Sequence, residues 1–221
     1  MSTAPTAVLV SGGLDSAVLL ALTARSAGRA IPVFVRAGHV WEDAERAALD
    51  RFVAAVGEPR IDRVRELAVP MGDVYGADWS MTGRDTPGWD APWEAVELRG
   101  RNLILLAKTL VLAATSGWPV VALGSLADNP FPDATPEFFA SLGRVASAGL
   151  RAPLEIVVPF RGLAKAEVVR RGRDLPLELT LSCARPTPAG LHCGTCSKCR
   201  ERIEAFAAAG VPDRTAYATT R

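Results

Sequence analysis

A chain of 221 residues with 25 basic and 24 acidic side chains carries a net charge of +1, and its hydrophobic fraction of 49% and charged fraction of 22% are those of an ordinary soluble globule. That composition excludes intrinsic disorder, collagen and coiled coil, and the near-neutral charge argues against stable binding to nucleic-acid phosphates. The length suits one substantial domain with at most a small appendage; no apolar run approaches the roughly 18 residues that span a bilayer, and Met1 to Thr6 lack an export pattern, so a cytoplasmic protein without membrane contact is expected.

The first predicted element is the apolar run Ala7 to Val10, a buried strand that stops at Ser11-Gly12-Gly13. A helical pattern follows from about Asp15 to Ala27, then a second strand at Ile31 to Val35. Trp41 to Val56 is amphipathic, with Ala44, Ala48, Phe52 and Val56 recurring at helical spacing. Ile61 to Val69 alternates weakly and reads as a third strand. Gly72 to Gly100 breaks the pattern, holding Trp79, Trp89 and Trp93 with Pro87 and Pro92. A stretch that irregular is either a functional lid or a surface excursion pinned by its aromatics. Helices are predicted over Asn102 to Ser116 and about Pro136 to Ala148, and strands over Val120 to Leu123 and Ile156 to Val158. Strand and helix in alternation imply an α/β fold, a doubly wound and mostly parallel sheet covered on both faces. The expected division is residues 1–180 for this unit and 181–221 for a cysteine-rich segment and helix packed on it. Arg170-Arg171-Gly172-Arg173 reads as a solvated helix end.

Ser11-Gly12-Gly13-Leu14-Asp15-Ser16 lies between the first strand and its helix. Two glycines let the backbone approach a ligand, successive amides at a helix start form an anion nest, and two serines add donors. A phosphate or pyrophosphate fits there. No Walker pattern occurs in the chain. Asp15 inside such a nest either holds Mg²⁺ bridging to phosphate oxygens or caps the helix.

Cys183, Cys193, Cys196 and Cys199 follow the pattern C-x₉-C-x₂-C-x₂-C. Four converging thiolates close a tetrahedral site with no open position, which describes a structural Zn²⁺. An iron–sulfur cluster, thiol or sulfur-transfer chemistry, and disulfides are the alternatives. Gly194 relaxes the backbone at the knuckle, Lys198 and Arg200 are placed to offset the thiolate charge, and His192 reads as a bystander.

The loop at 11–16 is the signature of the ATP-pyrophosphatase (PP-loop) superfamily. With the C-terminal cysteines, the chain resembles the 7-cyano-7-deazaguanine synthase family over nearly its whole length. The likeness rests also on Arg101-Asn102 opening a helix, on Phe131-Pro132-Asp133-Ala134-Thr135-Pro136-Glu137-Phe138, on Lys165-Ala166-Glu167-Val168, and on Leu179 to Cys183. Three stretches depart from the family: Val35-Arg36-Ala37-Gly38-His39, which keeps the histidine and a later Glu42; the short loop from Gly124 to Asp133; and the tryptophan-rich insert.

The resemblance implies a ligase that adenylates the carboxylate of a deazaguanine with ATP, displaces AMP with ammonia to give an amide, and spends a second ATP to leave a nitrile. It implies pyrophosphate binding by Ser11, Gly12, Gly13, Leu14, Asp15 and Ser16, and catalytic roles for Asp15, Lys165 and Arg101. Lys165 would neutralise charge near the α-phosphate, and is one of three lysines in the chain with Lys108 and Lys198. Arg101 would hold a phosphate or the acceptor carboxylate, because a guanidinium pairs with either and the dipole otherwise disfavours a cation at a helix start. Asn102 would bind nucleotide or cap its helix. His39, Asp133 and Glu137 would contact the acceptor, Asp133 through a guanine-like N–H edge, with Glu137 alternatively a dipole partner. A homodimer is expected from the same resemblance. The competing expectations are a ligase for another carboxylate or one stopping at the amide, a tRNA sulfurtransferase, and a non-catalytic ATP-binding relative.

Overall fold

The computed structural model describes residues 4–219. Five parallel strands form one sheet in the order β3-β2-β1-β4-β5: β1 (Thr6–Val10), β2 (Ala30–Arg36), β3 (Arg65–Ala68), β4 (Val120–Ala122) and β5 (Glu155–Val157). The helices are α1 (Leu14–Ala27), α2 (Glu42–Val56), the single turns α3 (Gly72–Tyr75) and α4 (Trp79–Thr82), α5 (Arg101–Ser116), α6 (Pro136–Leu150), α7 (Lys165–Arg171) and α8 (Ser197–Ala209). The doubly wound α/β fold is the one expected from the alternation.

Both faces of the sheet are buried, so its central strands read as continuous apolar runs. Val8, Val10 and Phe34 face α1, α2, α7 and α8, meeting Leu20, Phe52, Val168 and Phe206. Ala7, Ile31, Val33 and Val35 face the other way, onto Leu106 and Leu110 of α5 and Phe139 of α6. The third strand is shorter than predicted. Ile61 makes only an isolated bridge with Ala30, and the ladder to β2 resumes at Val33 opposite Arg65. This edge is largely exposed and lacks the apolar pressure that holds the inner strands in register.

The cysteine-rich segment packs on the sheet unit. Leu181 N donates to Gly12 O at 2.9 Å. Arg202 of α8 is fully buried and donates to Leu177 O at 2.7 Å, Thr180 Oγ1 at 2.9 Å and Thr215 Oγ1 at 2.9 Å. Arg170 is not simply solvated: it donates to the C-terminal carbonyls of α8, Ala208 O at 2.7 Å and Ala209 O at 3.3 Å. The tail returns over the knuckle, with Ala218 N donating to His192 O at 2.8 Å and Thr219 packed where a Gly194 side chain would stand.

Candidate active site

β1 delivers the chain to the glycine loop at the C-terminal edge of the sheet, beside β4, where the strand order reverses and ligands bind in open α/β sheets. Gly12 has φ +82°, and a Cβ there would run into the carbonyl oxygen of Glu45. Only glycine fits that turn. Gly13 is the N-cap of α1, so Asp15 sits in the first turn and is not the cap. Hydroxyls hold the open amides: Gly13 N donates to Ser11 Oγ and Leu14 N to Ser182 Oγ, each at 3.2 Å. Ser16 Oγ accepts from Ser11 N at 3.2 Å and donates to Gly13 O at 3.1 Å. The result is an amide cradle at a helix N-terminus, suited to an anion.

Charged side chains converge beside it. Asp15 Oδ2 lies 3.0 Å from Lys165 Nζ, which lies 3.5 Å from Glu201 Oε2. Lys198 Nζ lies 2.8 Å from Glu201 Oε1. Burial alone pulls the Lys165 ammonium down, but Asp15 and Glu201 outweigh it and hold the group above its ordinary range, firmly charged. Burial likewise pushes Glu201 up, and the two lysines outweigh that and hold it low. Lys165 and Arg101 are the first residues of α7 and α5, at the positive ends of those helices. The helix dipole disfavours a cation at either start, and a bound polyanion offsets that. Asp15 Oδ1 is buried with no hydrogen-bond partner among the described residues. A bare carboxylate oxygen next to an anion cradle has the chemistry of a ligand for a hard cation such as Mg²⁺.

The cleft, about 330 Å³, runs from this loop to the tryptophan-rich insert. His39, buried at 6% exposure, stacks on Trp41 with ring centroids 4.8 Å apart. Burial, with the Arg101 charge nearby, pushes its imidazole down to about 4, so it is neutral, and neither ring nitrogen has a hydrogen-bond partner among the described residues. Arg101 Nε is also buried, with no hydrogen-bond partner among the described residues. Asp133 is committed locally: Oδ2 accepts from Asn102 N at 2.8 Å, and Oδ1 and the backbone oxygen accept from Asn102 Nδ2 at 3.2 and 3.1 Å. Asn102 therefore clasps Asp133, while Gly100 caps α5. Trp79 of α4 stacks on Trp41 at 5.3 Å, and with Val96 and Leu98 it makes the insert a wall of the cleft.

The four cysteine thiols are buried and lie within 4.8 Å of one another, and could hold a metal ion. Three Sγ separations are 3.6, 3.8 and 4.0 Å, far beyond a disulfide. His192 stays outside the set. Burial pushes its ring down to about 3, and Nε2 accepts from Ser182 N at 2.9 Å.

The model of the family described as queuosine biosynthesis protein QueC matches residues 6–210. The chain belongs to the QueC family. It is 35% identical over 223 residues to a 7-cyano-7-deazaguanine synthase of Thiobacillus denitrificans, covering 96% of this chain and 97% of that one. It is 32% identical over 229 residues to a 7-cyano-7-deazaguanine synthase of Methanothrix thermoacetophila, covering 95% and 96%. Among solved structures, a 4-thiouridine synthetase–RNA complex with bound ATP superposes with TM-score 0.52 at 15% identity, covering 94% of this chain and 53% of that one, a likeness of fold.

In this QueC-family chain, Ser11, Gly13, Leu14, Asp15, Ser16, His39, Arg101, Asn102, Asp133 and Lys165 all line one cleft. Gly12 shapes the loop from beneath. Glu137 does not line the cleft: Thr135 caps α6, its Oγ1 accepting from Phe138 N at 3.1 Å, and Glu137 is exposed in the first turn as a dipole partner. Lys198 faces the cleft and Glu201, not the thiols alone, and Arg200 pairs with Asp90 at 3.7 Å. Glu45 and Ser182 line the cleft and Glu201 pairs with its lysines, none of them singled out in the sequence, whereas Lys198 was expected to offset the thiolate charge and instead lines the cleft. The one available signal was a cation within the cysteine knuckle.

Proposed function

We propose that this protein is a 7-cyano-7-deazaguanine synthase: an ATP-dependent carbon–nitrogen ligase converting 7-carboxy-7-deazaguanine and ammonia to the nitrile by way of the amide, within queuosine biosynthesis. Membership of the QueC family supports the reaction. The single observation that carries the assignment to this cleft is the Asp15–Lys165 pair at 3.0 Å on the amide cradle. The pyrophosphate portion of ATP takes the place of the Ser11 and Ser182 hydroxyls as acceptor for the Gly13 and Leu14 amides, and those hydroxyls, with that of Ser16, turn to donate to it. Asp15, through its unpartnered Oδ1, would hold Mg²⁺, which supplies charge neutralisation on the phosphate oxygens when bound. Lys165 and Lys198 face the same oxygens, and Lys165 stabilises charge developing at the α-phosphate. Arg101 binds an anionic oxygen of phosphate or acceptor, and neutral His39 offers one donor and one acceptor to the acceptor side. Asn102 and Asp133 act by fixing the start of α5 and hence Arg101.

The thiol separations bracket the edge of about 3.8 Å expected for a tetrahedron with 2.3 Å metal–sulfur arms. One ion fits that spacing, and Zn²⁺ is the proposed occupant, structural rather than catalytic. That reading sets the cysteines apart from sulfur transfer. A homodimer is the proposed assembly. The test is AMP release: wild-type protein with Mg-ATP and ammonium releases AMP only when the deazaguanine carboxylate is added, and Asp15→Asn does not. Acceptor-independent release, or full activity of the variant, contradicts the proposal.

A further inference from the structure

The donor edge of a deazaguanine, a ring N–H beside an exocyclic amine, calls for a carboxylate. Asp133 has the expected position but each of its oxygens already holds Asn102. Another carboxyl in the cleft is not engaged. Glu45, on α2, is 9% exposed and lines the cleft, and no hydrogen bond reaches its carboxyl among the described residues. Its own carbonyl oxygen abuts Gly12, which puts its residue against the nucleotide loop. The same cleft is lined by two groups with no hydrogen-bond partner among the described residues, Arg101 Nε and the ring of His39, and by Trp41 and Trp79 as flat apolar surfaces; the Arg101 charge acts on Glu45.

Leaving Arg101 Nε and the His39 ring buried and unpaired on a cleft that also holds an unengaged carboxyl is costly unless a ligand satisfies them. A planar heterocycle with apolar faces and a polar rim does so. Ammonium is the weaker occupant, because the Arg101 guanidinium already serves as a cation beside Glu45. Resting on the synthase reading above, we propose that Glu45 is the specificity-determining residue for the acceptor, its carboxylate receiving the ring N–H and exocyclic amine of the heterocycle.

The protonation state agrees. Burial pushes the Glu45 carboxyl up to about 8; Arg101 of α5 pulls it down and Glu42 of α2 pushes it up. Two donated hydrogen bonds favour the ionised form, so an N–H edge completes a group that the protein alone leaves undercompensated.

The experiment compares wild type with Glu45→Gln and Glu45→Asp, with melting temperature as a check of folding. KM is measured separately for acceptor, Mg-ATP and ammonium, using 7-carboxy-7-deazaguanine and its analogue lacking the exocyclic amine. The expected result is a rise of about tenfold or more in acceptor KM for Glu45→Gln, with the other two KM values within twofold. Wild type then discriminates against the amine-less analogue and the variant does not. An unchanged acceptor KM overturns the proposal, as does a rise falling instead on ATP or on ammonium. A wild-type protein that turns over no deazaguanine overturns the synthase reading and this proposal with it; wild-type turnover with an indifferent variant overturns this proposal alone.

Discussion

Asp15 is the residue whose two oxygens do different work. Oδ2 is neutralised by Lys165 and Oδ1 is bare. Asn keeps the shape and loses the charge, so Asp15→Asn is expected to lower acceptor-dependent AMP release by about 100-fold or more, and to lower the melting temperature as well, because the buried Lys165 loses one of its two carboxylate partners. Quantifying released AMP checks this. Glu45 gives a prediction about stability. Its carboxyl is pushed up to about 8 in the folded protein and titrates near 4.5 unfolded. Between those values the folded state holds a proton that the unfolded state has lost. Its stabilising contribution is therefore complete below pH 4.5 and is lost as pH rises to 8, at about 1.4 kcal/mol per pH unit across the window. His39 runs the other way: neutral in the fold down to about 4, it favours folding above pH 6.5 and that contribution is lost as pH falls from 6.5 towards 4. Melting curves of wild type and Glu45→Gln separate the two. The variant's advantage is expected to grow from pH 5 to 8 and then level off; a constant difference contradicts the assignment. None of this was legible at Glu45 from its letter. It stands in the charged run Glu42-Asp43-Ala44-Glu45-Arg46 at the start of the amphipathic helix, off the Ala44, Ala48, Phe52 and Val56 spacing, and the packing of α2 on the glycine loop buries it.

At the scale of elements, what was legible followed from burial. Four strands carry continuous apolar runs because helices cover both faces, and each was placed to within a residue or two. The edge strand β3 was overextended because alternation alone does not show where pairing lapses. The loop motif was legible because backbone approach demands glycine in any context. Gly12→Ala meets both a positive φ and the Glu45 carbonyl. It is expected to cost on the order of 2 kcal/mol of stability and to abolish nucleotide binding, measured by denaturant titration and by equilibrium binding of ATP. The role of the insert was not legible, since neither its single-turn helices nor the stacking of Trp79 on Trp41 has a period in sequence. The same holds for Ser182, which reaches the loop from 168 residues away.

Across the whole molecule, the cysteine segment and the sheet unit share one site. Lys198 and Glu201 lie on α8, which starts at the knuckle, and Glu201 holds Lys165 against Asp15. Ser182, next to Cys183, holds Leu14 N and is itself held by His192. A metal at the thiols would therefore fix part of the proposed nucleotide site from a distance. Removing it with a strong chelator is expected to lower the melting temperature and raise amide exchange in residues 181–219 before the strands. Exchange rising uniformly across the chain would contradict that coupling. The central claim is the chemistry of the cleft, and the most direct measurement is product analysis with ¹⁵N-ammonium, Mg-ATP and 7-carboxy-7-deazaguanine. The account expects a nitrile that carries the ¹⁵N label, with AMP formed at each of two activations. An amide as the final product, or no acceptor-dependent AMP at all, would contradict it.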